Sequence, residues 1–144
     1  MIRHAGLIAL RRDGGWRGAL IEGPSGVGKS DLALRALDLG LRLVSDDYTA
    51  VFASGGRLYG KAPESLAGLI EVRGLGVVPT PAIAFARIAL VVRCVDAPGA
   101  VERLPDPRFE TLCGVSVPVF DLWPPEPAAP VKIRRMLEHL GVPL

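Results

Sequence analysis

Short hydrophobic runs, separated by polar and glycine-containing turns, organise the first third of the chain. Residues 1–10 and 16–22 predict the two strands of a hairpin, because a turn sequence rich in charge and glycine lies between them. Apolar residues between positions 32 and 37 recur with the spacing of one helix face, and Gly40 predicts the end of that helix. Residues 41–44 predict a short buried strand directly after it.

The rest of the chain alternates strands and turns and contains few helical patterns. Strands are predicted at 48–52 and 57–59, which form a hairpin, and at 87–95 and 115–120, with a helical turn at 64–69. A terminal helix is predicted from the spacing of apolar residues on one face, and Gly141 closes it. The residues of this face are Ile133, Met136, Leu137 and Leu140. Proline and glycine mark 96–107 as a surface loop and 124–130 as a connector. This order predicts an α/β fold with a mixed sheet of substantial antiparallel character.

Composition narrows the class of protein further. A chain of 144 residues predicts a single domain over residues 1–144, and an apolar fraction of 49% with a mean hydropathy of +0.34 excludes a disordered chain. The net charge of +2 gives no argument for nucleic acid. No apolar run approaches the roughly 20 residues of a membrane span. The apolar stretch at the start is too short for a signal peptide, and the spacing of Cys94 and Cys113 predicts free thiols in the cytoplasm.

One segment carries a specific chemical motif, G-x-x-x-x-G-K-[ST], between a predicted strand and a predicted helix. Glycines allow backbone N–H groups to point at phosphate oxygens, Lys29 reaches the β- and γ-phosphates, and the Ser30 hydroxyl is a Mg²⁺ ligand in this motif. The sequence therefore predicts a site for nucleotide phosphates and Mg²⁺. The residues of this phosphate loop are Gly23, Pro24, Ser25, Gly26, Val27, Gly28, Lys29 and Ser30.

Acidic residues that could complete a phosphoryl-transfer site lie after the loop helix. Asp46 and Asp47 follow the predicted strand 41–44, where they would reach the phosphate side of a sheet, although an Asp-Asp pair after a strand is also common in turns. Glu71 lies in an otherwise apolar run, where a charge is costly unless it is paired or bound to metal. Its alternatives are a Mg²⁺ site and an ion pair with Arg73, and position alone does not separate them.

Two further residues are weaker candidates when the residues are considered alone. His4 in the first predicted strand has the position of an ordinary edge histidine. Arg103, on the loop 96–107, has the charge to stabilise a transition state, but most loop arginines have no such role. Neither position by itself predicts catalysis.

Taken together, three blocks of sequence resemble the catalytic domain of the bacterial HPr kinase/phosphorylase family. They are the phosphate loop, the segment Arg42–Asp47 and the segment Ile70–Val78, and the last of these is the most specific. The resemblance covers roughly residues 1–120. It implies a P-loop core related to phosphoenolpyruvate carboxykinase, and it implies a hexamer. It also implies a short form that lacks the family's N-terminal domain, as is known among alphaproteobacteria.

The resemblance implies an activity and roles for individual residues. The expected reaction is ATP-dependent phosphorylation of a serine on an HPr-like phosphocarrier protein, together with its phosphorolytic reversal. Asp47 matches the residue that takes the serine proton, and Lys29 matches the loop lysine. Ser30 and Glu71 match the Mg²⁺ ligands, with Asp46 beside them. His4 and Arg103 match residues counted among the active-site groups of the family. The resemblance therefore favours a catalytic role for both over the roles of an ordinary edge histidine and an ordinary loop arginine.

One part of the chain departs from the family pattern. Members carry a basic Pro-Gly-Arg-type loop, associated with dephosphorylation, after a Val-Pro-Val stretch. Here Val117-Pro118-Val119 leads into Phe120-Asp121-Leu122-Trp123-Pro124, which contains no arginine, and Lys132 or Arg134 would have to replace it. The sequence thus leaves the reverse reaction open. It also leaves two other functions open, a nucleotide-sensing interaction module with little turnover and a P-loop kinase for a small-molecule hydroxyl.

Overall fold

Residues 1–139, which the computed structural model describes, form two sheets and two α-helices. The strands are β1 (Ile2–Arg3), β2 (Ala5–Arg12), β3 (Gly15–Glu22), β4 (Arg42–Ser45), β5 (Thr49–Ser54), β6 (Arg57–Lys61), β7 (Leu69–Val72), β8 (Gly76–Pro79), β9 (Ala86–Cys94), β10 (Phe109–Leu112) and β11 (Val115–Leu122). The helices are α1 (Lys29–Leu37) and α2 (Ala129–His139). Neither of these helices is long and apolar enough to cross a membrane.

Most strands belong to one mixed sheet whose order is β1-β5-β6-β9-β3-β2-β4, with the hairpin β10–β11 attached to β9 through β11. Only β3–β9 and β9–β11 are parallel pairs among the described strands, and the remaining pairs are antiparallel. The predicted mixed α/β sheet with much antiparallel character is therefore confirmed. A separate two-stranded sheet is formed by β7 and β8.

Strand directions bring the candidate site together at one edge of the large sheet. Strand β2 is antiparallel to both β3 and β4, so β3 and β4 point the same way although β2 lies between them. The phosphate loop follows the carboxyl end of β3, and Asp46 follows the carboxyl end of β4. Both therefore emerge at the same edge, where open α/β sheets bind ligands.

Two hydrophobic clusters cover the two faces of the sheet. Helices α1 and α2 pack on one face, where Ile8 and Ile21 join Leu32 and Ile133 in the core. The second cluster, on the other face, includes the alternate β2 residue Leu7. Because both faces are covered, β2 and β3 are nearly continuous apolar runs and do not show the alternation of a half-exposed strand.

The structure corrects several predicted boundaries. The predicted strand 1–10 is divided at His4, since β1 pairs with β5 whereas β2 pairs with β3 and β4. Helix α2 begins at Ala129, so Pro130, which was assigned to the connector, occupies the first helical turn, where its missing N–H costs no hydrogen bond. Strand β10 was not predicted. Leu140 and Gly141, predicted to complete and close the last helix, lie outside the described residues.

Candidate active site

The phosphate loop is shaped by glycines at positions that other residues would strain. Gly28 precedes α1 as its N-cap with φ of 109°, a left-handed conformation that favours glycine. A Cβ added to Gly23 would lie 2.9 Å from the Cβ of Cys94 and 3.1 Å from a methyl of Val27. Strand β9 therefore packs directly against the beginning of the loop, and α1 begins within it, so its N-terminal N–H groups face the loop.

Lys29 spans the mouth of this loop. Its ammonium donates hydrogen bonds to the backbone oxygens of Gly23 at 2.7 Å and Pro24 at 3.1 Å. The residue is only 9% exposed, so these two bonds compensate for its burial. An ammonium has three donors, and the third is available to a phosphate oxygen.

Asp46 connects the loop helix to the separate hairpin β7–β8. Its Oδ1 accepts a hydrogen bond of 2.8 Å from the Ser30 hydroxyl, and its Oδ2 accepts one of 2.9 Å from the backbone N–H of Glu71. The residue is 8% exposed, and both carboxylate oxygens have a donor. Because the Ser30 proton is directed at Asp46, the lone pairs of the Ser30 oxygen remain free to bind a cation.

Asp47 has a strained backbone and a histidine partner. A 2.7 Å hydrogen bond from the Tyr48 N–H to the Asp46 carbonyl closes a three-residue turn around it, and its φ is 67°. Tight turns of this kind at residues other than glycine are uncommon and are found preferentially at functional sites. The Asp47 side chain is 53% exposed, and its Oδ1 lies 2.8 Å from His4 Nε2. His4 in turn stacks on the ring of Tyr48, with the centroids 4.9 Å apart.

Glu71 reaches the site through its backbone, whereas its side chain is exposed. The alternative ion pair with Arg73 is not among the ion pairs of residues 1–139. In the same residues, no cluster of three or more His, Cys, Asp or Glu side chains is arranged to hold a metal. The Ser30 oxygen with its free lone pairs fits a Mg²⁺ ion that is also held by substrate phosphates, which is how Mg²⁺ usually binds.

Arg103 lies apart from these contacts. It is exposed on the segment between β9 and β10, which leaves β9 at Cys94 beside the phosphate loop. It lines a cleft of about 1100 Å³ that also includes Arg87 and Ile88 from the opposite end of β9. Among the described residues it makes no hydrogen bond or ion pair with the loop, Asp46 or Asp47.

The two residues considered as replacements for the missing basic loop are occupied elsewhere. Lys132 forms an ion pair with Glu126, and Arg134 donates a hydrogen bond to the backbone oxygen of Leu39. Strand β11 continues through Leu122, so the segment after Val119 is extended and forms no loop.

Two features beside the site were not predicted from the sequence. One is Tyr48, whose aromatic ring directly after Asp-Asp was the available signal. The other is an ion network in which Arg3 contacts Glu22, the residue before the phosphate loop, and Glu110 on β10, which also binds Arg93 at 3.0 Å. These residues are far apart in sequence, so no local pattern could have indicated the network.

A glycine-rich loop between a strand and a helix, with a carboxylate that follows β4 bound to its serine, defines a P-loop α/β protein. A family model of the HPr Serine kinase C-terminal domain matches residues 14–120. The chain belongs to this family. The relation of its core to phosphoenolpyruvate carboxykinase stays a prediction.

Individual relatives agree with this assignment. The HPr kinase/phosphorylase of Clostridium tetani (strain Massachusetts / E88) is 44% identical over 66 residues, which are 46% of this chain and 22% of that protein. That of Clostridium beijerinckii is 46% identical over 61 residues, or 42% of this chain and 20% of that protein. The matched segment thus spans about a fifth of the length of these relatives. The structure of the HPr(Ser) kinase/phosphatase from Coxiella burnetii superposes with a TM-score of 0.82 and 25% identity, covering 97% of this chain and 95% of that one.

Proposed function

We propose that this protein is an ATP- and Mg²⁺-dependent protein serine kinase whose substrate is an HPr-like phosphocarrier protein. Membership of the family and the names of the similar proteins support this substrate class. Residues 1–144 would form one catalytic domain, and the family resemblance favours a hexamer, which light scattering on the purified protein can test.

In this proposal, the phosphate loop and Lys29 bind the β- and γ-phosphates of ATP. Ser30, oriented by Asp46, would hold Mg²⁺, and the carboxylate of Glu71, whose backbone N–H is bound to Asp46, would complete the site. Mg²⁺ bound there would neutralise charge on the transferring phosphate. The supporting observation is the chemistry of the donors: a serine oxygen with free lone pairs beside the Asp46 carboxylate.

Asp47 would accept the proton of the substrate serine. Its carboxylate is exposed, so a protein substrate can reach it, and His4 holds one of its oxygens in place. Arg103 would approach from its exposed segment to stabilise charge on the phosphate during transfer. General base catalysis contributes on the order of 10² to 10⁴ in rate, so Asp47 is the residue whose loss should be most costly to transfer.

One observation carries the proposal. The carboxylates of two consecutive residues make different contacts. Asp46 accepts a hydrogen bond from Ser30 of the phosphate loop, whereas Asp47 is exposed to solvent and contacts His4. This arrangement puts a candidate base next to the candidate phosphate site within a single tight turn. Strained residues are found preferentially at functional sites, which supports a role for Asp47 beyond the turn.

The test is transfer of label from γ-labelled ATP to candidate phosphocarriers by the wild type, Asp47→Ala and the control Asp38→Ala. Asp38 is also exposed, and it follows α1 at the end away from the phosphate loop. We expect transfer to fall by about 10²-fold or more in Asp47→Ala, with ATP affinity within a few fold, and to be unchanged in Asp38→Ala. Wild-type transfer by Asp47→Ala would refute the role of Asp47.

The same assay separates the other functions. Tight ATP binding without transfer to any protein would indicate a nucleotide-sensing module, and label in a metabolite alone would indicate a small-molecule kinase. Adding excess inorganic phosphate to the phosphorylated carrier and measuring pyrophosphate tests the reverse reaction. Since Lys132 and Arg134 are occupied elsewhere, we expect this reverse reaction to be much slower than transfer.

A further inference from the structure

A second cleft, of about 660 Å³, opens at the end of the sheet opposite to the phosphate loop. Four arginines line it, Arg12, Arg17, Arg57 and Arg87, and we call it the arginine cleft after them. They come from the β2–β3 hairpin and from the first residues of β6 and β9. Three separate parts of the chain thus bring positive charge to one place.

Described protein groups balance this positive charge only in part, since Arg12 lies 4.0 Å from a carboxylate oxygen of Glu138. Among residues 1–139, Asp13 is the only acidic residue that lines the cleft, and it is bound to Arg17 at 3.3 Å. Arg17 also donates to the backbone oxygen of Leu137 at 3.1 Å. Arg57 and Arg87, in contrast, make no ion pair within the part of the chain that the structure describes. The arginine cleft therefore has a surplus of guanidinium donors.

The unbalanced charges are close enough to affect one another. Burial, followed by the charge of Arg57, lowers the pKa of the Arg87 guanidinium from its ordinary value, and Arg17 contributes in the same direction. Arginine remains protonated throughout the physiological range, so the crowding cannot be relieved by loss of a proton. An anion bound between Arg57 and Arg87 would relieve it, and guanidinium groups are well suited to bidentate contacts with phosphate.

Three aromatic side chains also line the arginine cleft, and we call them its aromatic wall. They belong to Trp16, Tyr59 and Phe85, and Phe85 is 56% exposed. Tyr59 is held in position by Phe52, with ring centroids 5.7 Å apart, and meets Phe85 edge-on at 6.2 Å. Such rings bind flat apolar groups, and ligand sites commonly combine them with a few charged donors.

We propose that the arginine cleft binds a small phosphate ester that carries a planar ring. The phosphate contacts Arg57 and Arg87, and the ring contacts the aromatic wall. The volume of the cleft falls within the range of small-molecule sites. An isolated inorganic phosphate would use only the arginines, and an uncharged ring would use only the aromatic wall.

The arginine cleft is separate from the ATP site. Strand β3 begins with Gly15, which lines the cleft, and ends with Glu22, next to the phosphate loop. The seven steps between its eight residues, at about 3.3 Å each, separate its two ends by roughly 23 Å. Binding to the cleft can therefore be measured independently of phosphoryl transfer.

The test uses calorimetric titration of the Lys29→Ala protein, in which the phosphate loop is weakened, with AMP, adenosine and inorganic phosphate. We expect AMP to bind more tightly than either of its parts. The double substitution Arg57→Gln/Arg87→Gln should weaken AMP binding by about tenfold or more, because two charged hydrogen-bonding groups are lost. Arg42→Gln, which removes an exposed arginine outside the cleft, should leave it unchanged.

Several results would overturn the proposal. They are no binding of AMP, binding no tighter than that of adenosine and phosphate, or equal affinity in the double variant and the Arg42→Gln control. If the double variant does not fold, Arg57→Gln alone serves as the test, because Arg57 is exposed and has no described packing role. The readout is binding, so its outcome does not depend on whether the protein is a kinase.

Discussion

Ser30 and Asp46 are joined by a hydrogen bond of 2.8 Å from the serine hydroxyl to Oδ1 of the aspartate. The bond connects the first turn of α1 to the residue that follows β4. The end of the phosphate loop is therefore held by β4, although β4 does not pair with β3, the strand that precedes the loop. The loop is thereby anchored on both sides, by Cys94 of β9 at Gly23 and by Asp46 at Ser30.

Replacing Asp46 with alanine should destabilise the fold as well as the site. The Ser30 hydroxyl and the Glu71 N–H would lose their acceptor in a largely buried place, at a cost of about 1–3 kcal/mol for an unsatisfied group. Urea denaturation measures this change in the free energy of unfolding. The exposed Asp106→Ala is the control, and equal stability of the two variants would contradict the proposed anchoring.

His4 should act through Asp47, and His4→Phe isolates that contribution. Phenylalanine keeps an aromatic ring to stack on Tyr48 but has no nitrogen to contact the Asp47 carboxylate. Loss of the orienting contact should lower kcat for transfer by roughly 10- to 100-fold, with KM for ATP nearly unchanged. Steady-state kinetics checks this split. A rise in KM alone would assign His4 to nucleotide binding.

Gly23→Ala should loosen the phosphate loop because its new Cβ would lie 2.9 Å from the Cβ of Cys94. Either β9 or the loop must shift, and overpacking of this kind costs about 1–3 kcal/mol. Gly99→Ala is the matched control, since that position has open space around it. Denaturation and ATP titration of both variants test the prediction, which fails if Gly23→Ala behaves like Gly99→Ala.

Alkaline pH should destabilise the protein through Cys94. Burial raises the pKa of its thiol to about 12, so between the ordinary value of 9.0 and that value the unfolded chain loses a proton that the folded chain keeps. Stability then falls as pH rises, by at most about 1.4 kcal/mol per pH unit. Urea denaturation at pH 8 and pH 10 in the presence of reductant should show a smaller decline for Cys94→Ala than for the wild type. An identical decline would show that the buried thiol is not responsible.

Local patterns were sufficient to predict the phosphate loop, α1 and the position of Asp46. The loop motif has fixed residues, and the spacing of Leu32, Ala33 and Ala36 distinguishes a helix from a strand over a short window. A strand after a loop helix has one favourable direction, which predicts where Asp46 emerges. Each of these features depends on a short segment of chain, so a local sequence pattern is enough to predict it.

The features that were missed depend on residues that are distant in sequence or on unusual turns. The hairpin of β10 and β11 turns at Cys113 and Gly114, which have φ of 49° and 77°. Two-residue hairpins prefer asparagine or aspartate before glycine, so Cys-Gly gave no signal. The strand is interrupted at His4 because the residues before it, β1, pair with β5, whereas the residues after it, β2, pair with β3 and β4. The contact between Asp47 and His4 depends on the same pairing of β1 with β5, so it could not be predicted from the sequence either.

The hydrogen bond between Asp46 and the backbone N–H of Glu71 has a dynamic consequence. The hairpin of β7 and β8 is not part of the large sheet, so its opening would break no hydrogen bond of that sheet but would expose Ile70, which is 1% exposed in the core. When it opens, the amide proton of Glu71 loses its carboxylate acceptor and exchanges with solvent. The deuterium uptake of this single amide thus reports how often the hairpin separates from Asp46, and a ligand that requires the hairpin in place will slow it.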